Sequence, residues 1–390
     1  MIYVGIDVAK DKHDCFITNS EGEVLEKPFT IQNNQEGFDS LFGKISGHAP
    51  DGKVKVGLEA TGHYSYNILG YLLDKGLATY VLNPLLTSLF RKGQSLRKTK
   101  TDKVDSSTIA HLLMSEPDLK PYSLTSYHNE ELKSLTRYRF TKVRELAKLK
   151  TSIARLVCIL FPELEALVPT LHLASVYALL AEFPGASYVA SANLTHLAHL
   201  LSVSSKGHYG RETAVTIREA ARHSIGSTRR AESLELKHTI ELIRTLDQET
   251  EDIENEIRPL VDELHSPILS IPGISYRMGA MILAEIGDFG RFDSPDRLLA
   301  FAGLSPTTYQ SGKLASTYSR MEKRGSKYLR YALFNAAKYV CHWDPGFAAY
   351  LAKKRKEGKH YNVAMSHAVK KLVRLIFHLV KTNEVFVSAA

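Results

Sequence analysis

Cysteine is scarce in this chain. Only Cys15, Cys158 and Cys341 occur among 390 residues, far apart and in no paired spacing. That excludes a disulfide scaffold and a thiolate zinc site, and it fits a reducing cytoplasm. Long apolar runs are missing too: none approaches the ~18 residues that a membrane-spanning helix needs. The opening residues, Met1-Ile2-Tyr3-Val4-Gly5-Ile6-Asp7, lack a basic stretch and a small-residue cleavage site, so no signal peptide is expected. What is there suits a soluble globular protein with a real core, at 44% apolar and 24% charged residues. The length predicts two or three domains, or one domain plus long helices.

Acids are sparse in one region. From Lys313 to Lys381 there are 16 Lys and Arg against three acids, Glu322, Asp344 and Glu357, a local charge of +13. The whole chain carries +8, so the remainder is −5. A basic segment joined to an acidic remainder points to a polyanion docking on one part of the molecule.

Strand and helix patterns alternate over the first ~120 residues. Short strands are expected at Ile2 to Ile6, Cys15 to Thr18 and Val24 to Ile31, then a helix from Gln35 to Ile45. A strand from Lys53 to Glu59, a helix from Tyr64 to Lys75, a strand from Thr79 to Leu82 and a helix from Lys103 to Ser115 complete the series. The order β-β-β-α-β-α-β-α is that of the RNase H-like fold. Two leucine-rich seams follow, Leu146-Leu149-Ile153-Leu156-Leu160 and Leu246-Thr250-Ile253-Ile257-Leu260-Leu264, with coiled-coil spacing. The second carries Glu249, Glu251, Asp252, Glu254 and Glu256 and reads as an outward acidic face of a spacer or dimer arm. Residues 187–226 give no clear pattern. Pro267 opens a last region, with basic helices expected from about Lys323 to Val340 and from Asn362 to Leu379.

Four carboxylates stand out near the start. Asp7 and Glu59 end strands, while Asp102 and Asp105 open a helix three residues apart, a spacing that puts both on one face. Carboxylates gathered at one point repel unless cations neutralise them, and paired Mg²⁺ ions ~3.5–4 Å apart serve phosphodiester chemistry this way, with Mn²⁺ as an alternative. Arg91, Lys92, Arg97, Lys98 and Lys100 lie just upstream and suit a phosphate backbone. In the last region, Ile271-Pro272-Gly273-Ile274 reads either as a phosphate-binding helix-hairpin-helix turn or as a plain structural hairpin. Further on, Tyr309-Gln310-Ser311-Gly312-Lys313 places a serine beside glycine, and the cations Lys313, Arg320, Lys323, Arg324, Lys327 and Arg330 follow. A serine hydroxyl needs activation and nearby positive charge to attack a phosphodiester. Taken alone, Ser-Gly is a common turn.

Together these motifs resemble one family. Gly-Ile-Asp-Val-Ala-Lys at the start, Glu-Ala-Thr-Gly at Glu59 and Lys-Thr-Asp-Lys-Val-Asp at 100–105 are similar to the DEDD transposases of the IS-one-ten group of insertion sequences. The later Pro-Gly-Ile, Ala-Gly-Leu-Ser-Pro, Gln-Ser-Gly and Lys-Arg-Gly-Ser-Lys-Tyr-Leu-Arg runs match the same family in the same order. The resemblance implies an α/β plus α chain with three parts. They are a RuvC-like DEDD domain at 1–125, a helical coiled-coil region at 126–265, and a transposase domain with basic nucleic-acid-binding helices at 266–390. It implies that Asp7, Glu59, Asp102 and Asp105 hold Mg²⁺ and that Ser311 forms a covalent phosphoserine link with DNA. It further implies donor and target DNA and a structured bridge RNA as partners, and a homodimer assembling to a tetramer. The expected location is the cytoplasm of a bacterium or archaeon, at the nucleoid. Gly325-Ser326 replaces the family's usual Gly-Asn or Gly-Asp, a change that helix capping by serine tolerates.

Three other classes compete, one of them a non-catalytic nucleic-acid-binding protein such as a decayed transposase, against which the intact motifs at both ends argue. A Holliday-junction-type nuclease would use the same acids with water and no serine. A sugar-kinase or actin-like ATPase also begins strand-Asp, but it needs a Gly-Thr or Gly-Ser phosphate loop, which Val8-Ala9-Lys10-Asp11 does not supply.

Overall fold

In the computed structural model, residues 1–59, 62–94, 102–122, 124–306, 310–311, 314–315 and 321–388 are described. The contacts divide the chain into two compact units, Met1–Glu131 with Gly287–Asp293, and Leu132–Ile286 with Ser294–Ala390.

The first unit is built on a five-stranded sheet. Its strands are β1 (Ile2–Val8), β2 (Lys12–Asn19), β3 (Val24–Gln32), β4 (Val54–Glu59) and β5 (Ala78–Leu82), in the spatial order β3-β2-β1-β4-β5. β1, β2 and β3 form an antiparallel meander, whereas β4 and β5 run parallel to β1. This mixed sheet is the RNase H-like arrangement expected from the element order. Strand alternation assigns the two faces. Val4, Ile6, Val56 and Leu58 point to one side, where α1 (Gln35–His48) and α2 (Tyr66–Asp74) cover them with Phe38, Leu41, Ile45, Ile68 and Leu72. Asn34 caps α1 by accepting from the Gly37 amide at 2.9 Å.

The other face carries α3 (Pro84–Gln94) and α4 (Asp102–Ser115). Ile109, Leu112 and Leu113 of α4 pack there with Tyr80, Leu82, Tyr3 and Phe90. Two glycines make the close crossing possible. Gly5 and Gly57 are partners across β1 and β4. A methyl group on Gly5 would lie 2.0 Å from the Ser106 carbonyl oxygen, and one on Gly57 would meet the end of Leu113 at 2.6 Å. α3 departs from the sequence-based expectation. The local signal for it was Asn83-Pro84, with Asn83 accepting from the Leu85 amide at 2.9 Å and proline preset for the first turn.

In the second unit, α5 (Leu124–Leu160) from Leu132 onward pairs with α11 (Arg230–Glu263). Ion pairs Arg139–Glu254, Lys142–Glu249 and Arg155–Glu235 run in opposite directions along the two helices, so the pair is antiparallel and lies within one chain. The first seam joins Leu236, Ile240 and Ile243 of α11 in one core with a cluster of short helices. These are α6 (Leu164–Leu167), α7 (Ala174–Glu182), α8 (Ala186–Ser191), α9 (Leu194–Ser204) and α10 (Arg211–Arg222), the last three of which occupy the stretch 187–226 that has no readable pattern. The second seam packs Ile253, Ile257 and Val261 on Leu132 and on Ala280 and Ala284 of α12 (Tyr276–Ile286). The acidic face is therefore only partly outward. Glu251, Asp252 and Glu256 are exposed, but Glu249 and Glu254 turn toward the cations of α5 because those cations sit opposite.

The remainder comprises α13 (Pro295–Phe301), the short strands β6 (Gln310–Ser311) and β7 (Leu314–Ala315), α14 (Lys327–Trp343), α15 (Pro345–Lys356) and α16 (Tyr361–Thr382). α14 starts at Lys327 rather than Lys323 because Ser326 caps it, accepting from the Leu329 amide at 3.2 Å. The buried carboxylate of Glu285 ties this region together: it pairs with Arg137 at 2.6 and 3.0 Å and accepts from Ser326 at 2.6 Å. Among the described residues, no helix is long and apolar enough to cross a membrane.

Candidate active site

Asp7 and Glu59 sit one residue beyond the paired Ile6 and Leu58, at the carboxyl ends of adjacent parallel strands. By alternation with Gly5 and Gly57, both lie on the face that α4 crosses. In open sheets of this kind, ligand sites form outside the carboxyl ends of strands where the topology switches, as it does here at β1 between β2 and β4. Asp14 of β2 is the direct partner of Asp7. It is buried and accepts from Thr30 at 2.6 Å. Three neighbouring strands thus place Asp14, Asp7 and Glu59 in a row. Directly opposed like charges destabilise a sheet, so this row demands positive charge nearby.

α4 brings the other two acids. Asp102 is its first residue and Asp105 lies in its first turn, immediately before the Ser106 carbonyl that overlies Gly5. Asp105 is nearly buried, and the Arg91 guanidinium on α3 pairs with it at 2.6 Å. Arg91 therefore neutralises a candidate metal ligand instead of standing free for phosphate. Lys92 is exposed next to it. The side chain of Asp102, and residues Arg97, Lys98 and Lys100, lie outside what is described. Among the described residues, no three His, Cys, Asp or Glu side chains form a metal-binding group. The donor chemistry nevertheless fits a hard divalent cation, because the acids offer only carboxylate oxygens. Sequence reasoning missed Asp14, since its place beside Asp7 depends on hairpin register.

The serine region of the second unit has its own support. Lys323 donates its amide to Gly303 at 3.1 Å, Glu322 to Ser305 at 3.1 Å, and Pro306 bridges Met321. Between these two segments in the sequence lies the β6–β7 pair, where Ser311 is opposite Leu314. Gly325 is confined against the Phe301 carbonyl oxygen, which a methyl group would approach to 2.0 Å. Arg330 donates to the carbonyls of Gly325 at 2.7 Å and Ala302 at 3.3 Å, so it braces the base of this ribbon. Lys323, Arg324 and Lys327 are exposed at the same base, whereas Lys313 and Arg320 lie outside the described residues. The Pro272-Gly273 turn has a structural duty. Gly273 has φ +91°, and a methyl group there would strike the Tyr339 carbonyl at 2.6 Å.

Comparison with known proteins adds sequence evidence. A family model described as Transposase, of the DEDD IS110 type, matches residues 4–162. A second, described as Transposase IS116/IS110/IS902 family, matches residues 265–352. An insertion element IS900 uncharacterized 42 kDa protein of Mycobacterium paratuberculosis is 23% identical over 99% of this chain and 97% of its own length. A pilin gene-inverting protein of Moraxella lacunata is 25% identical over 98% of this chain and 97% of its own. Among solved structures, Thermus thermophilus RuvC aligns with 31% of this chain and all of its own, at 14% identity and a TM-score of 0.25.

Proposed function

Because the chain belongs to the IS110 family of transposases, enzymes that cleave and rejoin DNA, we propose that it moves an insertion sequence by site-specific recombination through a covalent protein–DNA intermediate. The observation that carries the reading is the pair Asp7 and Glu59, side by side on the sheet face that the Asp102–Asp105 helix crosses. These four acids are the candidate ligands for divalent cations, with Mg²⁺ or Mn²⁺ the suitable choices. A bound cation supplies neutralisation of the carboxylates and of the phosphodiester charge.

The chain's own residues account for bond exchange. Ser311 Oγ attacks the phosphorus of one DNA strand, the serine gives up its proton, and the departing deoxyribose oxygen takes one up. DNA is left joined to the protein as a phosphoserine ester. In the return step, a deoxyribose hydroxyl of another strand attacks that ester and Ser311 recovers its hydroxyl. One phosphoester bond forms for each that breaks, so no ATP is required. The exposed Lys92, Lys323, Arg324 and Lys327 suit the DNA backbone, and Lys313, Arg320, Arg97, Lys98 and Lys100 are cations of the kind that would contact it as well. The family resemblance extends the reading to a bridge RNA that selects donor and target by base pairing. It also extends to a dimer of dimers in which Ser311 of one copy works with the acids of another, inside a bacterial or archaeal cell.

The test uses the full chain with its native element DNA and flanking transcript. Ser311→Ala is expected to abolish both recombination and the protein–DNA adduct on a denaturing gel. Continued strand cleavage by that variant would replace the serine reading with a water-dependent nuclease.

A further inference from the structure

A groove of about 570 Å³ lies between α5, α14 and the start of α12. Its walls are unlike a protein core. Tyr339 and Trp343 are 56% and 64% exposed, and Tyr331 continues their line along α14. Arg139 and Arg277 face them, and among the described residues no acid lines the groove. Both arginines are anchored by Glu254, which pairs with Arg139 at 2.7 Å and Arg277 at 2.8 Å, so two cations are held in place with one unit of positive charge to spare. Arg277 also stands in the first turn of α12, whose helix dipole favours an anion at the same end. Asn335 lies between the rings on α14, and its amide already donates to the Tyr331 carbonyl at 2.8 Å.

We propose that this groove captures unpaired bases of a single DNA strand, with the bases stacked on Tyr339 and Trp343 and the phosphate at Arg277. The proposal rests on the reading that the chain acts on DNA. The spacing favours a single strand over a duplex. Tyr331, Asn335, Tyr339 and Trp343 recur every four residues, a rise of about 6 Å per step. Bases in a duplex strand are about 3.4 Å apart, so neighbours that each meet a ring must be unstacked from one another. Exposed rings beside fixed arginines are how sequence-tolerant single-strand sites hold bases and backbone together. Strand exchange exposes such bases around the break.

Trp343 is the sole tryptophan of the 390 residues, so the intrinsic fluorescence of the full chain reports this groove directly. Oligothymidylate of about ten nucleotides is titrated against it, beside an oligouridylate of equal length, a duplex and inorganic polyphosphate. Saturable quenching by oligothymidylate is expected, with little from duplex or polyphosphate. Tyr339→Ala keeps the reporter and should weaken binding about tenfold. Trp343→Ala, followed by anisotropy of labelled oligothymidylate, should weaken it similarly, and Trp343→Phe should restore most of the affinity. Equal quenching by polyphosphate, an unchanged Tyr339→Ala titration, or a signal that varies with protein concentration alone would overturn the proposal. Oligouridylate binding more than tenfold tighter would overturn its assignment to DNA. DNA binding by anisotropy with Trp343 silent would sink the groove and leave the transposase reading intact. No DNA binding in any arm would count against both.

Discussion

Gly5→Ala tests the physical core of the active-site reading. The added methyl group would sit 2.0 Å from the Ser106 carbonyl oxygen and 2.7 Å from the Ala110 nitrogen, both backbone atoms of α4. Ordinary contact begins at 3.4 Å, so the helix must recede by about 1.4 Å. Overpacking of this kind costs about 1–3 kcal/mol, a melting shift of about 2–4 °C per kcal/mol for units of this size. The functional effect should be larger. Asp102 and Asp105 move with the helix, and a misplacement of about 1 Å at reacting groups costs about a hundredfold in rate. Gly57→Ala is the control, because its methyl group meets the ends of Leu113 and Ile109, side chains that can rotate away. The assay pairs thermal unfolding with a strand-cleavage time course on element DNA. Full activity and full stability in Gly5→Ala, or greater damage from Gly57→Ala, would refute the idea that the Gly5 contact with the α4 backbone sets the distance between helix and sheet.

Other outcomes follow from the same structure. Asp7→Asn should keep the unfolding temperature within a few degrees yet abolish cleavage; retained cleavage would remove Asp7 from the site. Glu285→Ala removes the carboxylate that Arg137 and Ser326 share and should cost about 2–4 kcal/mol, less than a fully buried pair because the Arg137 side chain is 39% exposed. Chemical denaturation measures that loss. Burial holds His13 below its ordinary value of 6.5. The unfolded chain therefore takes up a proton first as pH falls below 6.5, so stability is level above 6.5 and declines from 6.5 down toward the folded value. His13→Gln should flatten that slope; an unchanged slope would assign it to other groups.

The order of elements in the first unit was legible because strands and helices there keep clean periods. Ile2 to Ile6 and Gln35 to Ile45 needed no tertiary information. α3 was missed although Asn83-Pro84 announced it, since its exposed Leu85, Leu86 and Leu89 give no buried stripe to detect. The middle helices were missed because residues 187–226 are rich in Ser, His and Gly, which interrupt the apolar spacing that marks a helix.

The sequence by itself determined the family, through motifs whose spacing survives wherever the chain folds. It also identified the acids and the serine as residue types fit for phosphodiester chemistry. Which residues share a face was decided only in three dimensions. Hairpin register set Asp14 against Asp7, and antiparallel pairing turned Glu254 inward to hold Arg139 and Arg277. The approach of α4 made glycine at positions 5 and 57 a matter of ångströms. Local pattern encodes period and propensity, whereas register and helix approach depend on partners dozens to more than a hundred residues away, and those relations exist only once the chain has folded.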